Sequence, residues 1–464
     1  MSVAGGTSLD RMDPVLLDDL IEWMRIPSIS TGGGEPADIE AAAEWVIDRV
    51  LAAGGEGELV QIGEGGNPLA VGELRAATED APTILIYGHY DVQGPGPEGL
   101  WSSPAFEPTV RDGRIYGRGA ADDKGNFLPL LHVACAMARA GELPVHVRVL
   151  VEGEEETGSE AVISWVRSDT RGADAAIVFD SGMPDPATPA ITVGLRGVVM
   201  LHLEVRTAER NVHSGIYGGS VLNALHVLTA MLAEVLPGPD GRVREELREG
   251  VKPPSAAELE SWKRLPPGEQ AIGEVGARPA YPGAGAEYYE RNGADAALDV
   301  NEIAGGEPRT VVPATATASL SLRLAPGQDP VRMQAVLEGL LRSALPDGAE
   351  LTVSSHSAAP ALFEPDVPAL ALAAEALERA CGVPPVFMRS GGSIPIVAEM
   401  AERGYPVIVG GFGLPDDRLH APDESYALTS LAWGEAAARE LYKAFAALRS
   451  TVVAPNEKER TWST

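Results

Sequence analysis

Apolar positions recur along the chain with two periods, and the period at each stretch indicates the element. Asp13-Pro14 is an N-cap followed by proline at the first helical position, which predicts a helix to about Arg25, stopping before Pro27. Ile39, Ala43, Val46, Ile47, Val50 and Leu51 fall on one face of a second helix, with Gly54 as its stop. Short strands are predicted near residues 58–62 and 69–73, and a buried one at 83–87, after which Gly88 is read as a turn out of the sheet. Residues 101–117 read as loop and hairpin, with Arg111-Asp112-Gly113-Arg114 as the turn. A helix at about 126–140 and strands at 145–151 and 175–179 follow.

The rhythm changes after Asp180. Residues 191–206 read as one long strand, and 220–235 as a helix. Residues 237–293 are rich in Pro, Gly and charge and read as an irregular insertion with one or two short helices. A strand at 315–324, a helix at 330–345 and a strand at 350–356 complete the pattern of a small ferredoxin-like layer. From about 361 the α/β alternation returns: a helix at 367–380, strands near 386 and at 407–409, a closing helix at 428–448 and a loose tail. The class is α/β. A domain formed by residues 1–192 and 360–464 carries a central mixed sheet flanked by helices, and an α+β domain at 193–359 is inserted into it.

Composition narrows the function. At 464 residues the chain is long for one core, which agrees with two domains. Its formal charge of −31 argues against a nucleic-acid or anionic-membrane partner. Cys135 and Cys381 are its two cysteines, too few for a disulfide framework or a thiolate zinc site. The N-terminus lacks a basic-then-apolar signal pattern, and no apolar run reaches the roughly 18 residues of a membrane span. A cytoplasmic, enzyme-sized protein is expected.

The candidate chemistry gathers at predicted strand ends. His89 and Asp91 stand at i and i+2, where side chains on extended backbone share a face. A metal-bound imidazole usually has a carboxylate or carbonyl on its other nitrogen. Gly117-Arg118-Gly119-Ala120-Ala121-Asp122-Asp123-Lys124-Gly125 precedes a helix, but two adjacent carboxylates would repel a phosphate and suit a divalent cation better. The strand at 145–151 ends in Glu152-Gly153-Glu154-Glu155-Glu156, and the strand at 175–179 ends in Asp180, the edge where open α/β sheets bind ligands. His420 follows the last strand. His89, Asp122, Glu156, Asp180 and His420 are more ligands than one tetrahedral zinc needs, and suit two ions sharing a carboxylate. Glu155 is then left as general base. His132, His146, His202, His226 and His356 lie in regular elements without acidic company and are read as structural or surface residues.

With these motifs assembled, the chain resembles the co-catalytic dinuclear zinc peptidases that include carnosine dipeptidases, carboxypeptidase G, aminoacylase and succinyl-diaminopimelate desuccinylase. The matching motifs run from Tyr87-Gly88-His89-Tyr90-Asp91-Val92 to His420, and the carnosine-dipeptidase branch matches best, through Gly117-Arg118-Gly119 before Asp122-Asp123-Lys124-Gly125, His213-Ser214-Gly215 with Tyr217-Gly218-Gly219, and Gly391-Gly392-Ser393-Ile394-Pro395. The resemblance implies two divalent ions per subunit, zinc first, with manganese or cobalt also suited to His/carboxylate sites. It implies that His89 and Asp180 bind one ion, that Glu156 and His420 bind the other, and that Asp122 bridges them across a cis peptide to Asp123. Other branches carry Glu at the Asp180 position, and Asp favours the dipeptidase-like branch.

Asp91 would orient His89, and Glu155 would move the proton of a metal-bridging water. The inserted domain would be a lid and homodimer interface, with His213 stabilising the oxyanion in the partner subunit's site. Arg323, Ser393 and, to a lesser degree, Thr310 would contact the substrate. The implied activity is hydrolysis of dipeptides or short peptides with a free C-terminal carboxylate. N-acyl-amino-acid hydrolysis or carboxypeptidase action is the alternative within the same chemistry. A non-catalytic metal-binding protein is the alternative from another class.

Overall fold

The computed structural model describes residues 12–63 and 65–448. The predicted tail beyond 448 lies outside them. The chain divides into two compact units: Met1–Val193 with Phe363–Phe387 and Pro395–Thr464, and Gly194–Leu362 with Met388–Ile394.

The first unit is built on one mixed sheet. Its strands run in the spatial order Glu56–Val60, Leu69–Leu74, His146–Glu152, Thr83–His89, Ala175–Phe179, Val407–Gly410 and Ala190–Leu195. The middle four, from His146–Glu152 to Val407–Gly410, are mutually parallel, and the outer ones join antiparallel. Those middle strands are buried along their lengths, as parallel strands covered on both faces must be. The helix Pro36–Ala52 packs against the sheet edge, while Leu428–Phe445 packs on Lys124–Ala140 and Pro368–Cys381. Asp13 caps the first helix, Pro14–Met24, by accepting from the Val15 amide, and Trp23 of that helix stacks on Trp45 at 5.1 Å.

Three local expectations change here. The strand expected at 83–87 runs on to His89. Gly88 is therefore no turn residue: a Cβ there would lie 2.5 Å from the Phe127 ring and 2.8 Å from an Asp123 oxygen, so glycine lets the strand approach the next helix. Leu51, placed on the buried face of its helix, is 48 % exposed. His132 has acidic company after all, 3.3 Å from Asp13 and 3.6 Å from Asp19.

The second unit holds a four-stranded antiparallel sheet in the order Ala297–Gly305, Thr315–Leu324, Gly197–Arg206, Glu350–Ala358. The helices Ala224–Ala233 and Pro330–Ser343 pack on it over a core that includes Leu201, Leu203, Leu228, Met231, Leu320 and Leu337. This is the ferredoxin-like layer. The stretch read as one strand at 191–206 divides at Arg196 into Ala190–Leu195 and Gly197–Arg206. The insertion carries three short helices and a 3-10 turn, and it leads into the unpredicted strand Ala297–Gly305. Among the described residues no helix is long and apolar enough to cross a membrane.

Candidate metal centre and substrate-binding residues

The four adjacent parallel strands all point their C-terminal ends at one place. His89 closes its strand, Glu155 and Glu156 lie in a 3-10 turn three residues past Glu152, Asp180 directly follows Phe179, and His420 lies ten residues past Gly410. Asp122 comes from the glycine-rich loop ahead of the helix Lys124–Ala140, and the Asp122-Asp123 peptide is cis.

Asp122 sits at the centre. One of its oxygens is 3.0 Å from His89 Nε2 and the other 2.9 Å from His420 Nε2. His420 Nε2 is also 3.3 Å from Glu156. Two triads result, His89–Asp122–Asp180 and Asp122–Glu156–His420, and within each the potential ligand atoms lie within 4.8 Å of one another. Two oxygen- and nitrogen-donor triads sharing a carboxylate fit a pair of divalent ions.

The electrostatics point the same way. Burial, then the charge of Glu155, pushes the Asp180 carboxyl well above its usual range. Burial, with Asp122 and Glu156 outweighing the opposing pull of His89, pushes Glu155 up to about 7. Hydrogen bonds to Asp122 and Glu156 raise His420 to about 10. Burial would raise Asp122, but bonds from His420 and His89 hold it below the carboxylate range. Carboxylates crowded this closely repel one another, and a divalent cation removes that repulsion.

The supporting residues extend the list that the sequence suggested. His89 Nδ1 is 2.9 Å from the Asp91 main-chain oxygen, closer than the 3.4 Å to its carboxylate. That carboxylate accepts instead from Ser30 Oγ at 2.6 Å and from the Glu155 and Glu156 amides at 3.3 Å each. Gln93 donates to Glu156 at 2.7 Å. The buried Glu424 accepts from Arg118 at 2.6 Å and from the amides of Gly119, Ala121 and Asp122 at 2.9–3.2 Å, fixing the loop that carries Asp122. Ser30, Gln93 and Glu424 were given no role by the sequence.

The remaining candidates lie on the second unit. His213 is exposed, pairs with Val311 in a short ribbon, and accepts the Gly215 amide on Nδ1 at 3.0 Å. That bond leaves the ring proton on Nε2. Thr310 is exposed, and its carbonyl accepts from the Ser214 amide at 3.0 Å. Arg323 is half-buried on the strand Thr315–Leu324, and Ser393 is half-buried in the turn after Gly391-Gly392.

Peptidase family M20/M25/M40 matches residues 85–444. A cysteinylglycine-S-conjugate dipeptidase of Corynebacterium striatum is 29 % identical over 361 residues, 75 % of this chain and 77 % of the relative. The M20 family metallo-carboxypeptidase Sso-CP2 of Sulfolobus solfataricus is 26 % identical, with a TM-score of 0.82 over 94 % of this chain and 100 % of that one. Human carnosine dipeptidase 1, at 24 % identity, shares the fold with a TM-score of 0.77 over 94 % of this chain and 97 % of that one. The chain belongs to peptidase family M20/M25/M40 and is a metallopeptidase.

Proposed function

We propose that this metallopeptidase hydrolyses the peptide bond of dipeptides or short peptides that carry a free C-terminal carboxylate. The observation that carries this reading is the pair of triads sharing Asp122, with Glu155 on the adjoining turn. The dipeptidase from Corynebacterium striatum supports it.

In this reading His89 and Asp180 would hold one divalent ion, Glu156 and His420 would hold the other, and Asp122 would serve both. Such ions, zinc foremost, would polarise the scissile carbonyl and acidify water when bound. Glu155 takes a proton from the attacking water and passes it to the departing amine nitrogen, so the C–N bond breaks with a neutral leaving group. Its place on the turn that also carries Glu156 suits both halves of that transfer. Asp91 holds the His89 ring through its carbonyl and the Glu155 turn through its carboxylate. The Nε2 proton of His213 donates to the developing oxyanion in the partner subunit's site. Arg323 and Ser393 hold the substrate carboxylate, with Thr310 a lesser contact. The protein works as a cytoplasmic homodimer joined through the second unit.

The likeness to Sso-CP2 favours one second reading, carboxypeptidase action on longer peptides. Amine release from a panel of dipeptides, longer peptides and N-acetyl amino acids separates the two, using protein stripped by chelator and refilled with zinc or manganese. The proposal predicts metal-restored cleavage concentrated on dipeptides. Preferential turnover of longer peptides or acylated amino acids moves the activity to the alternatives, and no turnover with either metal contradicts all three.

A further inference from the structure

Arginines buried in the second unit have carboxylate partners close at hand, with one exception. Arg389 holds Glu258 through two bonds, at 2.6 and 3.1 Å. Arg196 is only 7 % exposed, yet among the described residues it makes no ion pair. Its Nε donates to the Gly391 carbonyl and its Nη1 to the Arg291 carbonyl, both at 3.3 Å. Carbonyl partners orient a guanidinium without neutralising it, and a buried charge is costly until a counter-charge arrives.

The surroundings add positive charge. Arg323 stands opposite Val198, two residues on from Arg196, and it too lacks an ion pair among the described residues. After burial itself, the charge of Arg323 is the main influence holding Arg196 down, at about 10. Two acids reach Arg196 by charge alone: Asp299, which is exposed and makes no ion pair with it, and Asp295, which is already committed to Arg242, Arg248 and Arg291 at 2.9–3.1 Å. The turn Gly391-Gly392-Ser393 rests on the guanidinium: a Cβ on Gly391 would lie 3.0 Å from Arg196 Nη2, so the first residue of this turn must be small. Two guanidiniums without an ion-pair partner, one of them bonded to a serine-bearing turn, suit a small anion with paired oxygens.

We propose that Arg196 is a specificity-determining residue which, with Arg323 and the Gly391–Ser393 turn, forms a two-guanidinium subsite filled by the C-terminal carboxylate of the substrate. The identity of the carboxylate rests on the dipeptidase reading above, while the charge rests on Arg196 itself. Such a subsite would discriminate between a free acid and its amide more sharply than the half-buried Arg323 alone. An amide in this place leaves one guanidinium buried and unpaired.

The test compares a cleaved dipeptide with the same dipeptide as its C-terminal amide, in the metal-loaded wild type, Arg196→Met and Arg196→Lys. Arg196→Met should lower kcat/KM for the free acid by about 30-fold or more, mainly through KM, and change the amide by less than about threefold. Arg196→Lys, which keeps the charge and loses the planar fork, should fall between. Equal losses on acid and amide would overturn the proposal and leave Arg196 as a support for the turn.

Calorimetric titration with glycine and glycinamide, neither of which has a bond between two residues to cleave, gives a readout without peptide turnover. Glycine binding should weaken by about tenfold in Arg196→Met, and glycinamide binding should not change. Equal glycine affinity in wild type and variant, or no binding by the wild type, would overturn the subsite. If Arg196→Met does not fold, the titration passes to Arg196→Lys, for which unchanged glycine affinity is the contrary result. A wild type that cleaves no dipeptide sinks the functional reading, and the glycine titration still decides Arg196.

Discussion

Asp91 does two things with separate atoms. Its carbonyl oxygen faces the His89 ring, and its carboxylate gathers Ser30 and the amides of Glu155 and Glu156. On the proposed roles, ligand and general base are thus referenced to one residue. Replacing Asp91 by Asn keeps the carbonyl and removes the charge from the bonds to those amides. Activity should fall by about 10–100-fold with both metals retained, a split read by kcat beside metal content. In the proposed mechanism Glu155→Gln removes the proton carrier but no ligand. It should lower kcat by about 10²–10⁴-fold at unchanged metal stoichiometry, and a change under twofold would take Glu155 out of the mechanism. His89, Glu155, Glu156 and Asp180 were legible in the sequence as candidates because each follows an apolar run short enough to be a buried strand. His213 was legible as a candidate only through its motif, since an exposed histidine in a turn has no periodicity to mark it.

At the scale of elements, four parallel strands supply the ends, and loops between them bring Asp122 and His420 into reach. The loop before the helix Lys124–Ala140 would not hold its place alone. Glu424 ties three of its amides and Arg118 to the segment leading into the closing helix. Glu424→Ala leaves Arg118 buried without its partner, and should cost about 3–5 kcal/mol in denaturant unfolding. It should also loosen metal binding through Asp122. A loss under about 1 kcal/mol would show the clamp to be dispensable.

Sequence patterns failed at two elements for physical reasons. Ala297–Gly305 is an edge strand whose Asp299, Asn301 and Glu302 face solvent, so no apolar alternation betrays it. The break at Arg196 interrupts an otherwise continuous apolar run, and a lone charge before a glycine is weak punctuation.

For the whole molecule, the acidic balance and the crowded centre have one consequence. Metal removal should lower stability, because the ions bind the folded site and not the unfolded chain. An ion held at 100 times its dissociation constant adds about 2.7 kcal/mol, so chelation should lower Tm and returning zinc should restore it. Salt alone should not substitute for zinc. The homodimer is a prediction at this scale, checked by light scattering: a mass near twice 48.5 kDa is expected, and a monomer at working concentration would remove His213 from the partner subunit's site. What the sequence left dark is long-range. Arg196 meets Gly391 across 195 positions and Glu424 meets Arg118 across 306, partnerships that no local spacing encodes.

If two divalent ions sharing Asp122 make this chain a peptidase, zinc titrated into stripped protein should restore dipeptide cleavage in proportion. No cleavage is expected without metal, and a plateau is expected at two equivalents per chain, lost in Asp122→Ala. A plateau at one equivalent, or cleavage that persists in metal-free protein, would rule the shared two-ion site out.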